Sequence, residues 1–333
     1  MVLAMSAPDE SGESTVKVSR REWVRKGAAL AAGGVLASAA PADEPAPSSN
    51  PFVYCLNTST IRGQKLSIVQ EVELAASVGY QAIEPWIREL QEYVDRGGSL
   101  ADLKKRIADL GLTVVNGISF PAWAVDDEAQ RAQGLETFKR EADLMAQIGG
   151  TRLAAPPAGI NRADAPAVDL WAIAERYAAV LRAGRDIGVT AVLEFWGSSK
   201  NLFRLSEAAL VAIACGDPDA CLLPDIYHLY RGGSDFAGLK LLSGRSIPVM
   251  HVNDYPGDRP RGELTDGDRV HVGDGAAPTD FIFRTMAENG CRTALSLELF
   301  NANYWRQDAD LVARVGLEKL KTAVERALAW PKG

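Results

Sequence analysis

Four side chains able to grip a metal ion stand at the ends of four short apolar runs. Glu194 closes Val192-Leu193-Glu194, Asp225 closes Leu222-Leu223-Pro224-Asp225, His251 lies in Val249-Met250-His251-Val252, and Glu298 follows Leu295-Ser296-Leu297. Three carboxylates brought together out of water raise one another's pKa and lose their hydration. A divalent cation among them removes that objection, and oxygen donors with one imidazole suit manganese, magnesium, cobalt or zinc. Singly, each residue has an ordinary explanation. A strand-end glutamate is commonly solvated or ion-paired, and a histidine is commonly a hydrogen-bonded structural residue. The arrangement carries the argument: of the 3 histidines in the chain, both His228 and His251 fall beside these runs.

The runs belong to a longer series. Phe52–Leu56, Ala82–Pro85, Thr113–Asn116, Arg152–Ala155, Ala191–Phe195, Cys221–Asp225, Pro248–Val252 and Ala294–Leu299 all read as strands. They are continuously apolar rather than alternating, as parallel strands covered on both faces are. Helical patterns separate them. Leu100, Leu103, Ile107 and Leu110 share a face behind a Ser99 cap and before Gly111, and Trp171, Ala174, Tyr177, Leu181 and Ile187 form a stripe within Val168–Ile187. A closing helix covers about Leu317 to Ala329. Strand and helix alternating through the chain predict a (β/α)8 TIM barrel over residues 52–333, its active site beyond the C-terminal ends of the strands. The competing open sheet has no G-x-G-x-x-G to bind a dinucleotide. Two long connections, Gly117–Gln133 and Asn253–Pro278, are expected to serve as lids or substrate walls.

The stretches LEFWG, PDIYHLYRGG, HVNDYP, DRVHVGDG and LSLELFNANYW together resemble the sugar phosphate isomerase/epimerase family with the xylose isomerase-like barrel. The resemblance implies that Glu194, Asp225, His251 and Glu298 are metal ligands and that Glu194 and Glu298 are an acid/base pair. It also implies that His228 and Arg269 bind substrate. The chemistry agrees with the residues. A cation on a carbonyl and its neighbouring hydroxyl stabilises a developing enediolate, while two carboxylates remove and return the carbon-bound proton. Arg269 has a simpler alternative in pairing with Asp266 or Asp268. Glu84, Asn116 and Trp196 are expected to line the pocket, although Glu84 has Arg88 one helical turn away. Trp196 and Trp123 are each placed either to stack on a sugar or to pack in the core. Ketose 3-epimerases of this family carry a glutamate where this chain has Lys200, and their loop after the metal histidine is shorter. The HVNDYP and LSLELFNANYW stretches look closer to the inosose isomerase branch. A sugar or keto-polyol is therefore the expected substrate. The same proton abstraction in a dehydratase or lyase, and a non-catalytic sugar-binding protein, are the alternatives.

A formal net charge of −7 argues against nucleic acid as a partner, and 3 histidines are too few for an endonuclease with several zinc ions. Near the N-terminus, Ser19-Arg20-Arg21-Glu22-Trp23-Val24-Arg25 precedes a mild Ala/Gly-rich run, Gly27 to Ala40. This reads as a twin-arginine export signal over residues 1–42, followed by a Pro/Ser linker over 43–51, and predicts a periplasmic or extracellular protein. The run is too short for a comfortable membrane span. Cys55, Cys215, Cys221 and Cys291 show no zinc spacing, and a Cys215–Cys221 disulfide is not signalled. Nothing in the sequence fixes the oligomeric state, which leaves room for a homo-oligomer.

Overall fold

The computed structural model describes residues 50–329, so the export-signal pattern and most of the linker lie outside the described residues. The chain runs β1 (Val53–Asn57), α1 (Ile68–Val78), β2 (Ala82–Glu84), α2 (Ile87–Asp95), α3 (Leu100–Asp109), β3 (Thr113–Val114), α4 (Glu128–Gln147) and β4 (Arg152–Ala155). It continues α5 (Leu170–Arg185), β5 (Thr190–Glu194), α6 (Leu205–Ala214), β6 (Leu222–Leu223), α7 (Ile226–Gly232), β7 (Val249–Val252), α8 (Thr279–Glu288), β8 (Ala294–Leu297) and α9 (Ala309–Leu328).

All strand pairs are parallel, in the orders β3-β2-β1-β8-β7 and β4-β5-β6. Backbone hydrogen bonds join the two sheets at both seams. The Ala154 N–H donates to Gly117 O at 2.9 Å, and the His251 N–H donates to Pro224 O at 3.0 Å. The result is the (β/α)8 barrel the alternation predicts. Strands β3 and β6 are shorter than the apolar runs that announce them. Pro224 has no N–H to continue the ladder of β6, so that strand ends before Asp225.

Capping places the helices. Ser67 caps α1 in a reciprocal box with Gln70, and Gly79 ends it at φ +98°, a conformation that favours glycine. Ser99 caps α3 as its spacing predicts. Leu110, expected on the buried stripe of that helix, is instead 41% exposed, and Trp171 on α5 is 64% exposed. Leu110 is the C-cap residue of α3, just past its last turn, and Trp171 lies in the first turn of α5. The first long connection is shorter than expected because Asp127 caps α4 six residues before Gln133. The second folds back on itself: Asp254 and Val270 form an antiparallel bridge, and the Asp254 carboxylate accepts from the N–H groups of Tyr255, Gly273 and Ala277. All four cysteines are free. Among the described residues no helix is long and apolar enough to cross a membrane.

Glu71 on α1 is a cost within this frame. It is 2% exposed, its Oε2 has no hydrogen-bond partner, and burial followed by the Glu89 charge pushes its carboxyl up to about 9. The folded chain therefore holds a proton on Glu71 that the unfolded chain releases near pH 4.3. Stability from this group falls as pH rises from there towards the folded value. Glu71→Gln is expected to raise stability at pH 8 by on the order of 2 kcal/mol and to change it little at pH 4.5. Urea midpoints at the two pH values read the difference, and an equal shift at both would contradict the account.

Candidate metal centre

The C-terminal ends of the strands deliver one polar side chain after another into the mouth of the barrel. Asp225 follows β6 and is also the N-cap of α7, where its Oδ1 accepts the His228 N–H at 2.8 Å. That bond orients the carboxylate and leaves Oδ2 for the site. His251 lies on β7 and is fully buried; its Nε2 sits 3.1 and 3.2 Å from the two oxygens of Glu84 at the end of β2. Nδ1 then faces the other way. It stands 3.1 Å from Glu298 Oε2, 3.8 Å from Asp225 Oδ2 and 3.9 Å from Glu194 Oε1.

Donor atoms of Asp225, His251 and Glu298 all lie within 4.8 Å of one another. Glu194, expected as a fourth ligand, borders this group without belonging to the tight triad. Buried His251 Nδ1 therefore points into a group of carboxylates, with Glu298 Oε2 nearest. An imidazole lone pair aimed among carboxylates is what a divalent cation requires, so the residues fit the group.

Arg269 supplies positive charge beside them. It is 1% exposed, and its Nη1 donates to Asp225 Oδ2 at 2.7 Å and to Glu298 Oε2 at 2.8 Å. Nη2 donates to Asp266 Oδ1 at 2.5 Å, so the simple ion pair foreseen for Arg269 is present and is one arm of a larger network. Asp268 pairs with Arg259 instead. Nη2 also lies 3.1 Å from His228 Nε2, while the Gly197 N–H donates to His228 Nδ1 at 3.3 Å. A neutral imidazole accepts at one nitrogen only, so these two donors compete for it. Burial lowers the His228 pKa, which keeps the ring neutral. Gly197 can sit there only as glycine: a Cβ would come within 2.5 Å of His228 O and Gly232 N.

The carboxyls divide electrostatically. Burial would raise Glu298, but the charges of His251 and Arg269 outweigh it and hold the group below its usual range. Burial raises Glu194 to about 8, with Glu298 and Asp225 adding repulsion against the relief from His251. His251 is raised well above its ordinary value: burial opposes this, and the charges of Glu298 and Glu84 override burial.

Above the triad lies a cavity of about 340 Å³, lined by Glu194, His228, Arg269 and Glu298 with Trp86, Phe120, Trp196 and Phe300. Trp196 stands in its wall as expected. Glu84 and Asn116 do not: both are fully buried beneath it, where Asn116 Nδ2 donates to Glu84 Oε1 at 2.7 Å. Instead of lining the pocket, Asn116, two residues beyond β3, holds Glu84, and Glu84 at the end of β2 meets His251. Arg88, the alternative partner for Glu84, lies against Glu89 and the Trp86 ring. Trp123 is core, packed on Tyr177 with its indole N–H on Pro156 O at 2.8 Å. Lys200 is exposed, tied to Asn161 O by its backbone N–H.

Sequence reasoning missed three residues of this network. Asn57, at the end of β1, donates to Glu84 Oε2 at 2.8 Å and to Glu298 Oε1 at 3.2 Å, and accepts the Trp86 indole N–H at 3.0 Å. Asn253 donates to Asp225 Oδ2 at 3.1 Å, and Ser296 donates to Glu84 Oε2 at 2.5 Å. Their only signal was position: each lies at or near the end of a strand that bears a candidate ligand or its support.

A parallel barrel with a buried Asp–His–Glu group at its C-terminal mouth defines a metal-binding enzyme of the isomerase/epimerase kind. The chain belongs to the xylose isomerase-like TIM barrel family, which it matches over residues 72–323. It is 27% identical over 276 residues to an inosose isomerase of Bacillus velezensis, covering 82% of this chain and 97% of that protein. It is 26% identical over 250 residues to a 3-dehydroshikimate dehydratase of Pseudomonas aeruginosa, covering 72% of this chain and 37% of that one. In fold it matches a solved structure described as the IOLI protein with a binding zinc atom, with a TM-score of 0.75, 24% identity, and coverage of 84% of this chain and 100% of that one.

Proposed function

We propose that the protein isomerises or epimerises a keto-polyol or keto-sugar by moving a proton at the carbon beside a carbonyl. The observation that carries this reading is the buried Nδ1 of His251, aimed at Glu298, Asp225 and Glu194. Asp225, His251 and Glu298 would hold the cation, with Glu194 beside them. Bound there, a divalent metal supplies Lewis-acid stabilisation of negative charge developing on the carbonyl oxygen. Zinc is a natural candidate given the zinc atom of the similar solved structure, and manganese, magnesium and cobalt suit the same donors.

The split between the two glutamates assigns their roles. Glu298, held charged by its neighbours, is placed to accept the proton from carbon, and Glu194, raised by burial, is placed to return one. Arg269 and neutral His228 hold substrate oxygens, and Trp196 offers an aromatic face to the ring. Similarity to the inosose isomerase supports a cyclic keto-polyol. Similarity to the dehydratase supports a second outcome, in which the same deprotonation leads to loss of water. The Arg20-Arg21 pattern and the mild run after it support export through a twin-arginine route.

Incubation in deuterated water with a panel of inososes and 3-keto sugars tests the reading. Metal-loaded protein is expected to place deuterium on one carbon of at least one compound, and chelated protein to place none. An isomerised product of unchanged composition supports the first outcome, and a dehydrated one the second. Absence of exchange with every compound and all four metals overturns both.

A further inference from the structure

A second cavity of about 750 Å³ lies beside the metal pocket, between α2 and α4. Trp86, Ile118 and Phe120 line both cavities, so one aromatic ridge separates them. The ridge is built for contact. Trp86 is fixed by its bond to Asn57 and by the Arg62 guanidinium 3.8 Å behind its ring, and Phe120 leans on it at 5.1 Å while remaining 45% exposed. A large aromatic left open at the lip of a polar site is a platform for the apolar face of a ring.

Polar groups line the second cavity as well. Ser119 lines the cavity and is 1% exposed, and a side-chain hydrogen bond ties it to Glu141. Glu141 is only half-buried, so the Ser119–Glu141 pair leaves a carboxylate at the cavity wall for the hydroxyls of a sugar-like ring. Arg88 and Arg140 add donors at the edge, and Leu144 and Ile87 supply the apolar remainder. The metal pocket, at about 340 Å³, is the smaller of the two.

We infer that the substrate carries two linked rings, the reacting keto ring over the metal triad and a second ring lying across the Trp86–Phe120 ridge against Ser119 and Glu141. This rests on the carbonyl chemistry proposed above and names its substrate class: a keto-glycoside or keto-disaccharide rather than a free monosaccharide.

Solvent-deuterium exchange measures it, comparing 3-keto-glucose with 3-keto-maltose, 3-keto-cellobiose and phenyl 3-keto-glucoside on the metal-loaded full chain. At least one two-ring probe is expected to exceed 3-keto-glucose in kcat/KM by about tenfold or more. Filling the cavity from either helix, by Leu144→Trp on α4 or Gln91→Trp on α2, is expected to bring that ratio down towards one. A ratio near one in the unaltered protein, or an unchanged ratio in both folded variants, overturns the subsite while leaving the proposed reaction standing. Should no probe exchange, the reaction fails first, and calorimetry with maltose, cellobiose and glucose decides the subsite. Tighter two-ring binding lost in both variants keeps it, and equal binding removes it. Self-association abolished by the same substitutions, with the ratio unmoved, would give this face to a second copy of the chain.

Discussion

Glu298→Gln is expected to lower solvent-deuterium exchange by at least about 10³-fold while leaving the affinity for a bound keto-sugar within about tenfold. The substitution keeps the shape of the side chain and one oxygen, so the contact with Asn57 Nδ2 can persist. What it removes is charge. Glu298 Oε2 accepts from Arg269 Nη1 at 2.8 Å and faces His251 Nδ1 at 3.1 Å, and those two cations are what hold the carboxylate ionised in a buried place. An amide there cannot accept a proton from carbon at neutral pH. It also leaves the Arg269 charge to Asp225 and Asp266 alone. Loss of exchange with retained affinity identifies a catalyst. Retained exchange would show that Glu298 is not the base, and a protein that binds the sugar but never exchanges it, altered or not, would be a non-catalytic sugar-binding protein.

The fold was legible because each strand is covered on both faces and so announces itself as an unbroken apolar run. The ends of the runs were less so. Pro224 stops β6 early, and the Asn116 side chain at the end of the third run is spent on Glu84 rather than on substrate. The candidate triad was legible for a related reason: ionisable residues sit at the ends of successive apolar runs, and the repetition carries what no single one of them would. The residues that support it carry no such mark. Asn57, Asn253 and Ser296 are residue types that turns and caps use everywhere, and their partners lie as far as 241 positions away in sequence. Glu84 misled in the opposite sense. Sequence neighbourhood offered Arg88, whereas the barrel brings His251 from 167 residues away. The cavity between α2 and α4 was equally unreadable, since Ser119 and Glu141 meet only after the helices pack.

Replacement of His251 by Ala is expected to take bound metal from about one equivalent to near none after dialysis, and Glu84→Gln to weaken metal affinity by about 10–100-fold. The imidazole is the only nitrogen donor of the triad, and removing it leaves Asp225 and Glu298 facing each other across the space it filled. Two close buried carboxylates without that donor repel, and holding a cation by them alone also requires Arg269 to give up its bonds to both. Glu84 acts through the far side of the ring. Its oxygens take the Nε2 side at 3.1 and 3.2 Å, which leaves the Nδ1 lone pair for the metal. Asn57, Asn116 and Ser296 all donate to Glu84, so the carboxylate cannot turn away, and the ring orientation is fixed before any cation arrives. Acid works in the same direction as Glu84→Gln: the raised His251 pKa means that a proton competes for Nδ1, so affinity falls as pH is lowered. Metal analysis after dialysis and competition with a chelating dye at two pH values measure both effects. Full metal retention in His251→Ala would place the ion elsewhere and remove the reason for the four strand ends to converge.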